Sequence, residues 1–397
     1  MMKSQTKNTS KGRILVVLEG IDPSQKSAAD VARRINVLCD NFQVTILTSV
    51  SDVCERLFPK ARVARLPRLP VRAGSLAFMV WCLWCWLLVP LLRADLVFVA
   101  GVINCPSVLT NFGKPILCYG NSHPAQHDAT ARRKNKPLSN IIGRSYGLSI
   151  TIGIKRSTLI LAISPQLAAV YEHLGIDSER IVVSEIGAPT GMFDPPAHAI
   201  SKGGRFTGVY HGTVALDRGL TIIVEGARLL GLKRKDFRIR LIGCDVTESE
   251  LVEKTMKNAG LEGIVEMVPP IPHSDIPKEL WSADWGISLL EPNVYFESSP
   301  PAKVFEFLAA GLPVIANDIQ THTKYLSDGV NSLIIPYEAG AFADAMLRLI
   351  ENPDLRKLLS ENALKSAANL SDSGPLSTMV KAATLLAERK SIPPGFN

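Results

Sequence analysis

Short apolar runs alternate with amphipathic segments along most of the chain. In the first half, this pattern predicts buried strands at residues 13–19, 42–48, 96–100, 116–119, 159–163 and 181–183, with helices at 27–38 and 165–174. The second half begins again with a strand at 207–211, followed by strands at 238–242, 265–268 and 285–290 and helices at 220–230, 248–258, 339–351, 354–368 and 376–389. Strands that alternate with helices predict parallel, doubly wound α/β sheets.

The chain is long enough for two such units, since 397 residues can form two domains with separate cores. A stretch rich in Gly and Pro at residues 185–196 is typical of a linker. We therefore predict one domain at residues 12–188 and another at 206–375, joined by a linker at 189–205. Residues 1–11 are polar and basic and are expected to be disordered, and a terminal helix and tail are expected at 376–397.

The most informative segment is residues 299–316, where a Pro-rich loop leads into a short helix and then a β-branched strand. Gly311 is suited to the left-handed conformation that ends a helix. Glu306 lies among apolar neighbours, so its charge needs either a partner or the hydroxyl groups of a ligand. A ribose-binding carboxylate and a buried or capping Glu are both compatible with this pattern.

The segment resembles the donor-binding signature of the GT-B glycosyltransferases of family 4, a class of mostly retaining enzymes that use nucleotide sugars. In this family two Glu residues are separated by seven residues, and Glu306 matches the second, which binds the nucleotide ribose. Ser298 occupies the position of the first Glu, so backbone amides of residues 298–302 or the adjacent Glu297 would have to replace it. The resemblance implies a GT-B architecture, in which two Rossmann-like domains face a cleft and the last helix crosses back to the first domain.

A phosphate site is predicted where a Gly turn follows the strand at residues 207–211. The amides and the positive dipole end of a helix N-terminus attract anions. The segment is similar to the family's Gly-Arg-x-x-x-x-Lys-Gly phosphate site, with Gly212 retained, Thr213 in place of the Arg and Arg218 in place of the Lys. Arg218 would bind the diphosphate, or it is a solvated residue at the start of the helix. The predicted donor-binding residues are Gly212, Thr213, Arg218, Ser298, Ser299, Lys303 and Glu306.

Two loops of the first half are predicted to face the cleft, because ligands bind beyond the carboxyl ends of parallel strands. Gly20 and Ser24 lie in the first, which is either an acceptor or phosphate loop or a plain turn. His123 lies in the second and is our first choice, before His127, for a family His that approaches the reacting sugar. Together with Glu306 it forms the predicted catalytic set. We expect no metal and no cofactor besides the nucleotide sugar, and the chain contains no Asp-x-Asp.

Residues 77–92 contain no charge and include Trp81, Trp84 and Trp86, and six basic residues without an acid precede them at 56–72. The run is shorter than the ~20 residues of a transmembrane helix, and a span would separate strands of one sheet. Either the helix lies in one leaflet or it is an unusually apolar core helix. We predict the first, with the three Trp at the interface. The basic residues predicted on anionic head groups are Arg65, Arg68 and Arg72.

The net charge of +7 favours an anionic partner. The basic residues adjoin Trp and Leu without the interleaved aromatics of a nucleic-acid groove, so nucleic acid is not expected. Seven irregularly spaced cysteines indicate reduced thiols and a cytoplasmic setting.

These features together predict a glycosyltransferase at the cytoplasmic face of a membrane, peripheral or monotopic. It would move a sugar from a nucleotide-diphosphate donor to a lipid-linked or polysaccharide acceptor, and the family resemblance implies retention of configuration. A non-catalytic subunit or scaffold of the same fold is the alternative, favoured by the missing first Glu. A sugar-nucleotide epimerase of this fold is a third interpretation.

Overall fold

The fold is built around two runs of parallel strands. The computed structural model describes residues 12–19, 26–66, 75–124, 137–189, 191–196, 204–244, 246–391 and 393. The segment expected to be disordered, 1–11, lies outside these residues, as do residue 190 and residues 197–203 of the expected linker.

The first sheet contains seven parallel strands within the described residues. They are β1 (Arg13–Val17), β2 (Gln43–Thr48), β3 (Arg62–Arg65), β4 (Leu96–Val99), β5 (Ile116–Gly120), β6 (Leu159–Ala162) and β7 (Ile181–Val183). The helices of this domain are α1 (Lys26–Asn41), α2 (Ser51–Leu57), α3 (Ser75–Leu91), α4 (Pro137–Arg156) and α5 (Pro165–His173). The strands lie in the order β3-β2-β1-β4-β5-β6-β7. Strands β4, β5 and β6 are buried throughout, as expected for a parallel sheet covered by helices on both faces.

The second sheet contains six parallel strands in the described part of the chain. They are β8 (Phe206–His211), β9 (Phe237–Ile242), β10 (Val265–Val268), β11 (Trp285–Ser288), β12 (Val314–Asn317) and β13 (Ser332–Ile335). The helices are α6 (Leu220–Gly231), α7 (Val246–Asn258), α8 (Ile276–Trp281), α9 (Ala302–Ala309), α10 (Gln320–Thr323), α11 (Ala339–Glu351), α12 (Pro353–Asn369) and α13 (Ser373–Ala387). The strand order is β10-β9-β8-β11-β12-β13.

Each sheet has one point where the chain reverses its direction of progress across the sheet. In the first sheet this point lies between β1 and β4, and in the second between β8 and β11. The connections that leave neighbouring strands there go to opposite faces, which opens a crevice at the carboxyl ends of the strands. The loops after β1, β4, β8 and β11 therefore frame the candidate sites.

The last helix belongs to the core of the first domain although it follows the second in sequence. Met379, Ala382, Ala383 and Leu386 of α13 are buried among the strands of the first sheet. The two domains also meet where Ala188 N donates to the Leu370 carbonyl at 2.7 Å. The predicted fold class, two Rossmann-like doubly wound parallel-sheet domains, is confirmed.

The apolar segment forms helix α3, and the predicted contact of Trp81 with lipid is wrong. Trp81 is only 4% exposed and packs in the core of the first domain, so it cannot lie at a lipid interface. Trp84 and Trp86 are half-buried, and the Trp86 indole donates to the Pro106 carbonyl at 2.7 Å. None of the helices in the described residues is long and apolar enough to cross a bilayer.

Part of the basic stretch before α3 forms a strand that the sequence did not predict. Arg62 and Arg65 are the first and last residues of β3, and both are exposed. Strand β3 lies at the edge of the first sheet. Basic side chains are common on edge strands, where they discourage pairing with another chain. Arg68 and Arg72 lie outside the described residues.

Candidate active site

Helix α9 carries Glu306 to the carboxyl edge of the second sheet. The helix ends as predicted, with Gly311 in a left-handed conformation (φ +68°) and Leu312 N bonded to the Phe307 carbonyl at 2.9 Å. This bonding pattern closes the helix and turns the chain directly into β12. The surrounding residues of α9 are core residues, and Glu306 is 3% exposed. Its carboxylate consequently depends on partners inside the protein.

Two imidazoles hold the Glu306 carboxylate. His211 Nε2, at the end of β8, lies 3.2 Å from Glu306 Oε2. His273 Nε2, in the turn before α8, lies 3.1 Å from Glu306 Oε1. The His273 contact is a hydrogen bond, and His211 lies close to the second oxygen, so the carboxylate is held between two imidazoles. Aromatic contacts of His211 with Phe307 and of His273 with Phe193 hold the two rings.

Lys303, one turn before Glu306 on the same helix, is also buried. Its ammonium group lies 3.4 Å from the centroid of the Tyr210 ring, a cation–π contact. The Tyr210 hydroxyl in turn donates to the Thr213 carbonyl at 2.7 Å. The structure thus joins Lys303 to the Gly212–Thr213 turn that the sequence proposed as a phosphate site.

Arg218 follows this turn in sequence and lies beside the loop that follows β11. Its guanidinium carbon is 5.3 Å from the centroid of the Phe296 ring. Gly219, which follows it, has φ +80° and starts α6. This contact holds the Arg218 side chain beside the loop that precedes α9, and its binding to a diphosphate stays a prediction.

The loop before α9 has no carboxylate at the position of the family's first Glu. The Ser298 hydroxyl bonds back to the Val294 carbonyl at 3.0 Å, so it is used inside the loop. Glu297 Oε2 accepts from Gln320 N at 2.7 Å and caps α10. Both side chains thus have partners within the second domain, and which group replaces the family's first Glu stays a prediction. Ser299 Oγ is buried without a hydrogen-bond partner, and no side chain caps the start of α9.

The first domain contacts the same loop. The His123 ring, just after β5, lies 5.2 Å from the Tyr295 ring in an edge-on arrangement. Burial lowers the pKa of His123, which keeps the imidazole neutral. Ser164 Oγ, after β6, donates to the Ser298 carbonyl at 2.6 Å. The carboxyl edges of the two sheets therefore face each other, with His123 at the boundary.

Glu19 is the last described residue after β1, at the reversal point of the first sheet. Burial raises the pKa of its carboxyl, and its amide donates to Asn104 Oδ1 at 3.1 Å. A half-buried carboxylate at such a crevice is a candidate functional group. Gly20 and Ser24, predicted in the same loop, lie outside the described residues, as does His127.

Within the described segments, no three His, Cys, Asp or Glu side chains are grouped as metal ligands. The expectation of a metal-free site remains a prediction.

Comparison with known proteins relates the second half of the chain to a known family. Residues 197–366 match the family model of glycosyl transferases group 1. The second domain is a glycosyl transferases group 1 domain. The predicted relationship to the GT-B glycosyltransferases is thereby confirmed, while the narrower assignment to family 4 stays a prediction.

Curated relatives share modest identity with this chain. Alpha-D-kanosaminyltransferase of Streptomyces kanamyceticus is 26% identical over 156 residues, which are 39% of each chain. D-inositol 3-phosphate glycosyltransferase of Pseudarthrobacter chlorophenolicus is 25% identical over 222 residues, 53% of this chain and 51% of the relative. The chain therefore spans about half or less of the length of these relatives.

The crystal structure of Anabaena HepE in complex with UDP-glucose superposes with a TM-score of 0.75 at 14% identity. The match covers 94% of this chain and 99% of HepE. At this identity the likeness shows the fold, which is that of the GT-B glycosyltransferases.

The group 1 domain contains site residues that the sequence analysis missed. His211 and His273 are 95 and 33 positions from Glu306 in sequence, so no local motif joins them to it. Tyr210 and Phe296 were likewise missed. A weak signal exists for His211, because a histidine at the end of a buried strand and next to a Gly turn is an unusual core residue.

Proposed function

We propose that this protein transfers a sugar from a nucleoside diphosphate donor to an acceptor, with the donor held by the group 1 domain. One observation carries the proposal: a buried carboxylate, Glu306, is oriented by two imidazoles at the reversal point of the sheet. A ribose diol is a suitable ligand, because its two hydroxyl groups can donate to a fixed carboxylate. Arg218 and Lys303 add positive charge near the Gly212–Thr213 turn.

The chemistry assigned to these groups is stabilisation of the departing nucleoside diphosphate. Negative charge develops on the diphosphate as the sugar bond breaks, and preorganised cations and amide donors favour that charge in a site shielded from water. Arg218, Lys303 and the first amides of α9 are the groups proposed for this role. His123 of the first domain would approach the sugar from the other side of the cleft.

We propose further that no divalent ion is required, because two cationic side chains already supply the charge that a metal would supply. Transfer that persists in EDTA supports this, and activity restored only by Mg²⁺ or Mn²⁺ contradicts it. Retention of the anomeric configuration is proposed from the family resemblance. Proton NMR of the first-formed product reads the configuration directly.

For the acceptor, we propose a lipid-linked sugar or a surface polysaccharide at the cytoplasmic face of a membrane. An exposed apolar row on α3 supports a membrane location. None of the seven cysteines, all within the described residues, forms a disulfide, which suits a reducing compartment. A soluble acceptor is the competing possibility, since one relative is named for D-inositol 3-phosphate.

The test measures nucleotide release from a panel of UDP-, GDP- and ADP-sugars, with and without a membrane lipid extract. Glu306→Gln removes the charge that the ribose would meet, and we expect nucleotide affinity to fall about tenfold or more, since hydrogen bonds to charged groups contribute roughly 1.5–3 kcal/mol. Glu262→Gln is the matched control, because it neutralises an exposed carboxylate of the second domain that lies outside the proposed site.

One observation supports the non-catalytic alternative: Ser298 stands at the position of the family's first Glu, and the adjacent Glu297 accepts a hydrogen bond from Gln320 N. Nucleotide binding that depends on Glu306, together with release from one donor, supports the enzyme. Binding without release from any donor supports a non-catalytic subunit. No binding of UDP, GDP or ADP refutes the donor site.

A further inference from the structure

Helix α3 exposes one row of apolar side chains along its length. Met79, Leu83, Leu87 and Leu91 are spaced four residues apart, which puts them on one face, and they are 57–71% exposed. The opposite face packs in the domain core. At ~1.5 Å per residue the row is about 18 Å long. Single exposed apolar residues are common, but a continuous row of this length indicates a surface that becomes covered.

A strained turn adds an aromatic ring near the end of this row. Phe112 is 78% exposed and has φ +48°, a conformation that bulky side chains rarely adopt. The turn is tied to the second half of α3, because Thr110 Oγ1 donates to the Trp86 carbonyl at 2.8 Å and Lys114 Nζ to the Pro90 carbonyl at 2.7 Å. Both the exposure and the backbone strain of Phe112 are unfavourable, and folding alone does not require them.

Positive charge surrounds the same end of α3. A surface cavity of about 490 Å³ is lined by Arg13, Arg93, Lys114 and the end of the apolar row. Arg13 is paired with Asp95 at 2.8 Å, which leaves the charges of Arg93 and Lys114 in excess. An apolar surface bordered by cations matches the interface of an anionic membrane, with acyl chains below and phosphate groups above.

We propose that this surface, formed by Met79, Leu83, Leu87, Leu91 and Phe112 with Arg93 and Lys114 at its edge, docks on an anionic membrane. The apolar side chains enter the lipid–water interface and the basic cavity receives a phospholipid head group. The role of this docking in sugar transfer rests on the proposed function, but the docking itself does not. Leucines and a turn phenylalanine make the contact, and the buried Trp81 does not.

The topology gives the docked orientation. The chain leaves β3 at the cleft edge of the first sheet and enters β4 at the opposite edge, so α3 runs from the cleft edge across the domain. A helix lying in the plane of the membrane then brings the cleft to the membrane surface. An acceptor carried by a lipid could enter the cleft without leaving the bilayer.

The experiment is flotation of the full chain with vesicles of phosphatidylcholine, with or without phosphatidylglycerol. We expect binding to the anionic vesicles, and Leu87→Asp should weaken it about tenfold or more because a carboxylate resists burial in lipid. Arg93→Gln should weaken binding about fivefold, and only on anionic vesicles. Leu232→Asp and Lys233→Gln, exposed in the group 1 domain, are matched controls and should bind like the parent.

The variant Phe112→Asn distinguishes a role of Phe112 in membrane docking from a role in folding stability. Asn tolerates a positive φ better than Phe, so the variant should unfold at the same or higher urea concentration. Its vesicle binding should nevertheless fall. A purely structural Phe112 would give the reverse result, with lower stability and unchanged binding.

Failure of this proposal is distinguishable from failure of the donor site, because nucleotide binding is measured without vesicles. A parent protein that binds nucleotide but no vesicle overturns the membrane surface alone. Vesicle binding that Leu87→Asp and Phe112→Asn leave unchanged also overturns it. A dimer that Leu87→Asp dissociates, without vesicle binding, shows that a second copy covers the row instead.

Discussion

His322 should make the protein less stable as the pH falls below about 6.5. The imidazole is completely buried, with Nδ1 2.8 Å from the Asn317 carbonyl and Nε2 2.9 Å from Ser288 Oγ. Burial, only partly offset by the hydrogen bond to Asn317, lowers the pKa of His322 from 6.5 to about 4. A positive Lys303 nearby acts in the same direction as burial. The folded protein therefore keeps this imidazole neutral.

The magnitude follows from linkage between protonation and folding. Between pH 6.5 and about 4 the unfolded chain binds a proton at His322 that the folded chain does not bind. The free energy of unfolding therefore falls as the pH falls, by about 1.4 kcal/mol per pH unit and roughly 3 kcal/mol in total. Above pH 6.5 the contribution is fully present.

The assay is urea unfolding across this pH range for the parent and for His322→Gln. The variant is expected to be less stable, because one Gln cannot reproduce both hydrogen bonds, but its stability should vary less with pH. The difference in slope isolates His322 from the carboxyl groups that titrate in the same range. Equal slopes, or an imidazole NMR signal that titrates near its ordinary value, would refute the reasoning.

Three further predictions concern single residues. Glu19→Gln should stabilise the protein at neutral pH, because burial raises the pKa of the Glu19 carboxyl and disfavours its charged form. The gain in stability should vanish in acid, where Glu19 of the parent is protonated, and urea unfolding at two pH values tests this. Gly219→Ala should lower the free energy of unfolding by about 2 kcal/mol or more and weaken nucleotide binding, since the new Cβ would lie 2.5 Å from Leu289. Gly329→Ala is the control: its φ is similar but the space around it is open, so it should cost only the ~1–2 kcal/mol of the left-handed backbone. Ser164→Ala should cost ~1 kcal/mol, because it removes a helix cap and the bond to the Ser298 carbonyl, as thermal unfolding would report.

Each of these has a clear contrary result. A Glu19→Gln variant that is less stable at neutral pH would mean that the carboxylate has a favourable partner. Equal losses at Gly219 and Gly329 would show that the close approach to Leu289 relaxes at no cost. An unchanged Ser164→Ala would mean that solvent replaces both bonds.

Local sequence determined the elements whose signals lie within one or two turns of chain. Apolar runs marked the central strands of both sheets, and the alternation with helices marked them as parallel. Gly311 and the residues around it fixed the end of α9 and the start of β12, since the left-handed closure is a property of the local backbone. The identity of Glu306 as a buried carboxylate followed from its apolar neighbours alone.

Other elements lacked such a signal. Strand β3 is a basic edge strand with no buried residue, so its sequence reads as a solvated segment. The direction in which Trp81 points depends on which side of α3 meets the sheet. A helix that is apolar all round has no amphipathic pattern to reveal this.

The arrangement of the site is a tertiary property. His211, His273 and Glu306 come from three separate elements, and only the packing of α9 against β8 and the turn before α8 brings their side chains to within 3.2 Å. The sequence determined that Glu306 would be buried and would need a partner. The folded structure decided that the partners are two imidazoles, because hydrogen bonds between residues distant in sequence leave no periodic or local trace along the chain.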